Sequence, residues 1–323
     1  MARPRPFSGF RRWPPRLTMP SGKPEKNRKS GKPPCRRSRS RRKFPDKWTC
    51  FRRILRFRSK NKNGRQNKMR VTAILNLKGG VGKTTTVIHM ARLLRERQGA
   101  RVLVVDNDPQ CNLSQFFGVA QEDGKCADVL QTGWLDGVSI NLIRPTAVEG
   151  VDILAADGRL MALDLSQLKT QVVKAYCFRM MVLELTRLDK YDYVLFDCPP
   201  SFNAACAAAL MAADDVVIPI KLDAFSIDGM TNIMQQVQNM VKINCKLRVA
   251  GVLPTMWYRD DTIRQAEAIL RKSNFYVFPH IRYSKRMDTL TFRRELGSRH
   301  TALIQDYAEF VAAYARQGGA RNG

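Results

Sequence analysis

Lys78 and Lys83 lie in a run of mostly small residues, Asn76-Leu77-Lys78-Gly79-Gly80-Val81-Gly82-Lys83-Thr84-Thr85-Thr86, and amines among glycines point to phosphate chemistry. Glycines let several backbone N–H groups converge on an anion, a lysine adds charge, and a following hydroxyl can ligate a divalent cation. Carboxylates that could complete such a site occur twice downstream. Asp106 and Asp108 follow the apolar run Val102 to Val105. Two residues apart in extended chain, they point to one side, where they can face a metal ion and a water. Asp197 ends Tyr193-Val194-Leu195-Phe196 and is followed by Cys198-Pro199-Pro200. An aspartate at the end of a strand is a weak signal alone and a strong one beside the other two.

These residues need strands that end beside one another. β-Branched apolar runs recur at 71–77, 101–105, 151–154, 193–196, 216–220 and 248–253, with helix-like segments at 84–98, 171–188, 204–213, 226–241 and 262–272. Strands alternating with helices predict a doubly wound, mainly parallel α/β sheet with helices on both faces, a P-loop NTPase architecture. Ligands of such sheets bind beyond the carboxyl ends of the strands, where all three motifs fall. The strict P-loop pattern wants glycine at the position of Leu77, and the chain instead opens its loop with Lys78.

Lys78-Gly79-Gly80-Val81-Gly82-Lys83-Thr84 resembles the deviant Walker A loop of the ParA/MinD family of ATPases, and 69–318 resembles a small ParA/Soj-type partition ATPase. The resemblance implies ATP and Mg²⁺ as cofactors. Residues 78–85 (Lys78, Gly79, Gly80, Val81, Gly82, Lys83, Thr84 and Thr85) would hold the nucleotide. Thr84, Asp106 and Asp197 would serve the metal, Asp106 through its hydration shell, and Asp108 would position or deprotonate the lytic water. Lys78 would reach across a homodimer to the partner's phosphates. The run Asp106-Asn107-Asp108-Pro109-Gln110 matches the family's second acidic motif, except that Cys111 stands where glycine is usual. If that backbone needs positive φ, cysteine is strained there. The segments 216–220 and 225–229 look like the family's fifth strand and switch-like segment, and 251–255 like the strand end near the base.

Of the 56 Lys/Arg in 323 residues, residues 1–68 carry 25 against 2 Asp/Glu, while 69–323 are nearly balanced. With few apolar side chains to bury, 1–68 is expected to be disordered. Three readings of it stay open: a nucleic-acid-binding arm, an organelle transit peptide, and an over-extended start ahead of Met69. A short tail is expected at 319–323. The eight cysteines form no CxxC pair or metal-ligand cluster, which argues against the family's iron–sulfur relatives and for free thiols in the cytoplasm. No apolar run approaches the ~18 residues of a membrane span. His89, His280 and His300 lack partners at catalytic spacing and are read as structural or surface residues.

At the C-terminus, Leu303, Ile304, Tyr307, Phe310, Val311 and Tyr314 share one helical face. Its polar side includes Asp306 and Glu309, so core packing is expected rather than the membrane targeting of MinD. Lys242, Lys246, Arg248, Lys272, Arg282, Lys285, Arg286, Arg293 and Arg294 are candidates for the non-specific DNA contact that ParA resemblance implies. The expected function is an ATP-hydrolysing switch for plasmid or chromosome partitioning. It would be cytoplasmic, nucleoid-associated and stimulated by a ParB-like centromere-binding partner. The alternatives are a MinD-like membrane-cycling regulator and a nucleoid-tracking cargo positioner.

Overall fold

The computed structural model describes residues 69–166 and 175–319; the basic segment 1–68, the start of the helix expected from 171 and residues 320–323 lie outside the described residues. The sheet is built from β1 (Arg70–Ile74), β2 (Val102–Asp106), β3 (Arg144–Pro145), β4 (Val151–Leu154), β5 (Tyr193–Asp197), β6 (Asp215–Lys221) and β7 (Arg248–Thr255). Their order is β3-β4-β2-β5-β1-β6-β7. All pairings are parallel except that of β3, an edge strand too short for its periodicity to be read from sequence. β1 and β2 are buried along their whole length, as continuous apolar strands are when helices cover both faces.

On one face lie α1 (Lys83–Gln98) and the C-terminal helix, which is α10 (Ala302–Gly319) in chain order. Val87, Met90 and Leu94 of α1 share a core there with Ile304, Phe310 and Tyr314. The six apolar residues expected to share a face of α10 are all buried, so that helix packs the core as its polar face predicts. The other face is covered by α3 (Cys126–Thr132), α5 (Cys177–Arg187) and α6 (Ala204–Ala212), packed around Phe178 and Phe196. The remaining described helices are α2 (Asn112–Phe116), α4 (Arg159–Ser166), α7 (Ala224–Val241), α8 (Asp261–Arg271) and α9 (Lys285–Arg293). α2, α3, α4 and α9 were not among the segments read as helices from the sequence.

The amino ends of the strands are tied by a buried ionic cluster. Arg70 donates from Nε to Asp215 at 2.5 Å and from a terminal nitrogen to the Tyr314 carbonyl at 2.7 Å, its guanidinium lying 3.5 Å over the Tyr314 ring. Arg248 pairs with the other Asp215 oxygen at 2.9 Å, so one fully buried carboxylate joins β1, β6, β7 and α10. Replacing one member strands the others in a low-dielectric interior, at a cost of about 3–5 kcal/mol. Asp215→Ala is therefore expected to lower the free energy of unfolding by that amount in a denaturant titration. A loss below about 1 kcal/mol would remove the cluster from the stability of the fold.

Candidate functional site

β1 ends at Ile74, three residues before the expected limit, because Asn76 takes over the pairing. Its side-chain amide donates to the Pro219 carbonyl at 2.7 Å, and its side-chain oxygen accepts the Lys78 N–H at 2.8 Å. The chain is thereby turned out of the sheet into the glycine loop. Gly80 and Gly82 adopt φ of 69° and 84°, which L side chains rarely reach, and Gly82 caps α1. From the far side, the Thr255 hydroxyl at the end of β7 bonds the Val81 carbonyl at 2.9 Å. Thr255 was read from sequence as part of a strand end near the base; its role in pinning the phosphate loop was missed. Only the sheet order, which sets β7 two strands from β1, reveals it.

The two lysines of the loop point in different directions. Lys83 is buried, its amine 3.2 Å from the Lys78 carbonyl, and desolvation lowers its pKa while Asp197 and Asp108 oppose that shift. The Lys78 amine is part-exposed and lies 2.6 Å from Asp223, in the turn after β6. Thr84 and Thr85 begin the first turn of α1, beside the loop.

The three expected carboxylates converge at the ends of adjacent strands. Asp106 and Asp197 are register partners on β2 and β5, and Asp197 is the partner of Ile74 on β1. Their environments differ. Asp106 accepts both the Ser114 N–H (2.8 Å) and its hydroxyl (2.6 Å) on one oxygen, and the Asp108 N–H on the other. Burial still raises its pKa to about 6. Asp108 accepts the Gln110 N–H at 2.9 Å and is raised, chiefly by desolvation, with Lys83 opposing. Asp197 is fully buried, and neither of its oxygens has a well-formed hydrogen bond among the described residues. Its pKa is driven up by desolvation and then by Asp106, and the nearby Thr84 hydroxyl and Lys83 amine act the other way.

An ionisable carboxylate buried without donors is costly unless a cation completes it. Asp197 and Thr84 together therefore fit a magnesium ion. No three His, Cys, Asp or Glu side chains among the described residues form a metal site by themselves. Asp106 is the most committed of the three, braced against Ser114.

Cys111 has φ of 56° at the cap of α2, so the backbone conformation that favours glycine is present and is occupied by a buried cysteine. The thiols around the site are unreactive by environment: burial pushes Cys111 up to about 12, and a hydrogen bond with Cys206 together with burial raises Cys198. His89 is buried against Tyr307, with its pKa lowered by desolvation to about 3, and His280 bonds Glu267. Both are structural. Two of the nine candidate DNA-binding cations have other roles: Arg248 pairs with Asp215 and Arg282 with Asp306. No helix among the described residues is long and apolar enough to cross a membrane.

The comparisons with known proteins agree with this geometry. A family model described as an AAA domain, AAA_31, matches residues 69–249, more than half of the chain. The chromosome partitioning protein ParA of Caulobacter vibrioides is 33% identical over 205 residues, covering 62% of this chain and 75% of that protein. The chromosome-partitioning ATPase Soj of Thermus thermophilus is 36% identical over 206 residues, covering 63% and 76%. Among solved structures, a Mycobacterium smegmatis protein described as cobyrinic acid a,c-diamide synthase, with bound ADP and magnesium, superposes with a TM-score of 0.65. That match is 27% identical and covers 78% of this chain and 96% of the other. A glycine loop with two divergent lysines, three carboxylates at neighbouring strand ends and these relatives lead to one assignment: the chain belongs to the ParA/Soj-type partition ATPases.

Proposed function

We propose that this protein is a Mg²⁺-dependent ATP-hydrolysing switch of DNA partitioning. On ATP binding it pairs with a second copy and grips DNA without sequence preference, and it lets go when a ParB-like partner stimulates hydrolysis. The observation that carries the reading is the divergence of the two lysines. Lys83 faces Asp197 and Asp108, as a residue holding β- and γ-phosphates does, while Lys78 is directed out of its own loop to Asp223. Once released from Asp223, that amine can serve a second protomer, where it can neutralise charge developing in phosphoryl transfer.

The loop N–H groups at 79–84 and the Lys83 amine hold the phosphates. Thr84 and Asp197 would hold the metal, and Asp106, braced by Ser114, would face its water shell. Asp108 orients the attacking water and takes up its proton. Magnesium supplies neutralisation of the phosphate oxygens when it is bound. The Lys78–Asp223 pair ties the lysine in cis until a partner's phosphates compete for it. The location that fits this cycle is the cytoplasm, on the nucleoid.

The test is co-sedimentation of the full chain with plasmid DNA or with anionic vesicles, in ATP and in ADP. ATP-dependent recovery with DNA is expected; ATP-dependent recovery with vesicles alone would overturn the partition reading in favour of membrane cycling. Lys83→Ala should abolish the ATP-induced rise in melting temperature. Lys78→Ala should keep that rise and lose most of the turnover, and unchanged turnover would remove its role in trans. A part-exposed ion pair contributes at most about 1 kcal/mol and a dimer would release two of them, so Asp223→Asn should let the ATP dimer form at up to about thirtyfold lower concentration by sedimentation velocity. The folded-state pKa of Asp197 lies above its unfolded value, so at neutral pH its charge costs stability in the nucleotide-free protein. Asp197→Asn is accordingly expected to melt higher without nucleotide and to gain nothing from ATP and magnesium. A lower melting temperature in the nucleotide-free variant would contradict this account of the buried charge.

A further inference from the structure

Helix α9 is not explained by the nucleotide site. Its one buried side chain is Leu290, which packs over Gly297 so closely that a Cβ there would come within 2.8 Å of a leucine methyl. Lys285, Arg286, Arg293 and Arg294, in and just after the helix, are exposed, and no acidic side chain pairs with them among the described residues. Asp288 and Glu295 are the acidic residues of the same segment, also exposed, which leaves it net positive. Among these charges Phe292 is 87% exposed, more than any other large hydrophobic side chain among the described residues. At helical spacing it lies nearly opposite Leu290, on the outward face with Lys285, Asp288 and Thr289. A phenylalanine held in water forgoes about 1.5–3 kcal/mol of burial, and nothing in the fold requires it there.

The helix is also wired to the phosphate loop. Thr255 bonds the Val81 carbonyl, the neighbouring Pro254 carbonyl accepts the Ile281 N–H at 2.8 Å, and the Trp257 carbonyl accepts the Tyr283 N–H at 2.7 Å. The next residue, Ser284, is the N-cap of α9. Backbone hydrogen bonds at the end of β7 thus link the contact with the phosphate loop to the start of this helix.

We infer that α9 is a DNA-contacting wedge. Its cations lie on backbone phosphates, while the Phe292 ring inserts at a base step, and the nucleotide loop sets its position. The inference rests on the DNA-binding reading above and adds the element and mode of contact. Charge complementarity selects a polyanion, and the shape of the apolar surface selects DNA over a lipid surface. A membrane-surface helix presents a wide apolar stripe, whereas α9 presents one ring flanked by threonines and charges, which matches the single apolar wedge of proteins that unstack a base step.

The test compares the full chain with its Phe292→Ala variant, an exposed change that leaves the core intact. In ATP, closed circular plasmid relaxed by topoisomerase in the presence of the unaltered chain should be recovered with a changed linking number, because wedging unwinds the duplex. Phe292→Ala should lose that change and bind roughly tenfold more weakly, while the salt dependence set by the retained cations stays the same. Phe292→Trp should restore both properties, and Asp288→Asn should tighten binding. If the unaltered chain binds DNA but Phe292→Ala matches it in affinity and linking number, the wedge is refuted and the partition reading stands. If the unaltered chain shows no ATP-dependent DNA binding, both fail. Loss in Phe292→Ala of binding to vesicles of equal phosphatidylglycerol and phosphatidylcholine, with DNA binding unchanged, would assign the helix to membranes and overturn the proposal.

Discussion

The site is governed by a charge imbalance that the fold holds open. Asp106, Asp108 and Asp197 are brought to the ends of neighbouring strands against a single buried amine, Lys83, and two of them are fully excluded from water. Without further cations this arrangement costs stability, since desolvation raises all three carboxyls. Hydrogen bonds to Ser114 support Asp106, and the Gln110 N–H supports Asp108, but Asp197 is left to a ligand. A cation arriving there would recover the cost of burying that carboxylate.

Holding such a site open requires a rigid frame, and the sheet supplies it from both ends. At the amino ends Asp215 collects Arg70 and Arg248, fixing β1 between β6 and the C-terminal helix. At the carboxyl ends Asn76 and Thr255 bond the entry and the middle of the phosphate loop to β6 and β7. The loop is therefore shaped by the strands on its right as much as by its own glycines. The same strands lead on to α9, which places exposed cations and the exposed Phe292 one backbone ladder away from the phosphate loop.

The chemistry-bearing residues were legible because their types and spacing are set by the ligand. Lys83, Thr84, Asp106, Asp108 and Asp197 all come together at one end of the sheet, and the parallel alternation of strands and helices was read correctly. The positive φ of Cys111 was legible for the same reason, as a departure from glycine at a fixed place in a motif. Thr255 was less so, since a threonine at a strand end carries no local signal of a bond to a carbonyl 174 residues earlier. The sorting of the basic residues also depended on distant partners: Arg248 and Arg282 differ from Arg293 and Arg294 only in having Asp215 and Asp306 beside them.

By itself the sequence determined which groups are candidates to meet phosphate and metal, because glycine freedom, amine charge and carboxylate position are local properties of the chain. It also determined the sheet class, through apolar periodicity. Tertiary structure alone decided that Lys78 lies against Asp223 while Lys83 turns inward, that Asp197 rather than Asp106 is left without a well-formed hydrogen bond, and that Phe292 remains in water. Each of these depends on what another strand or helix, far away in the chain, brings within a few ångströms.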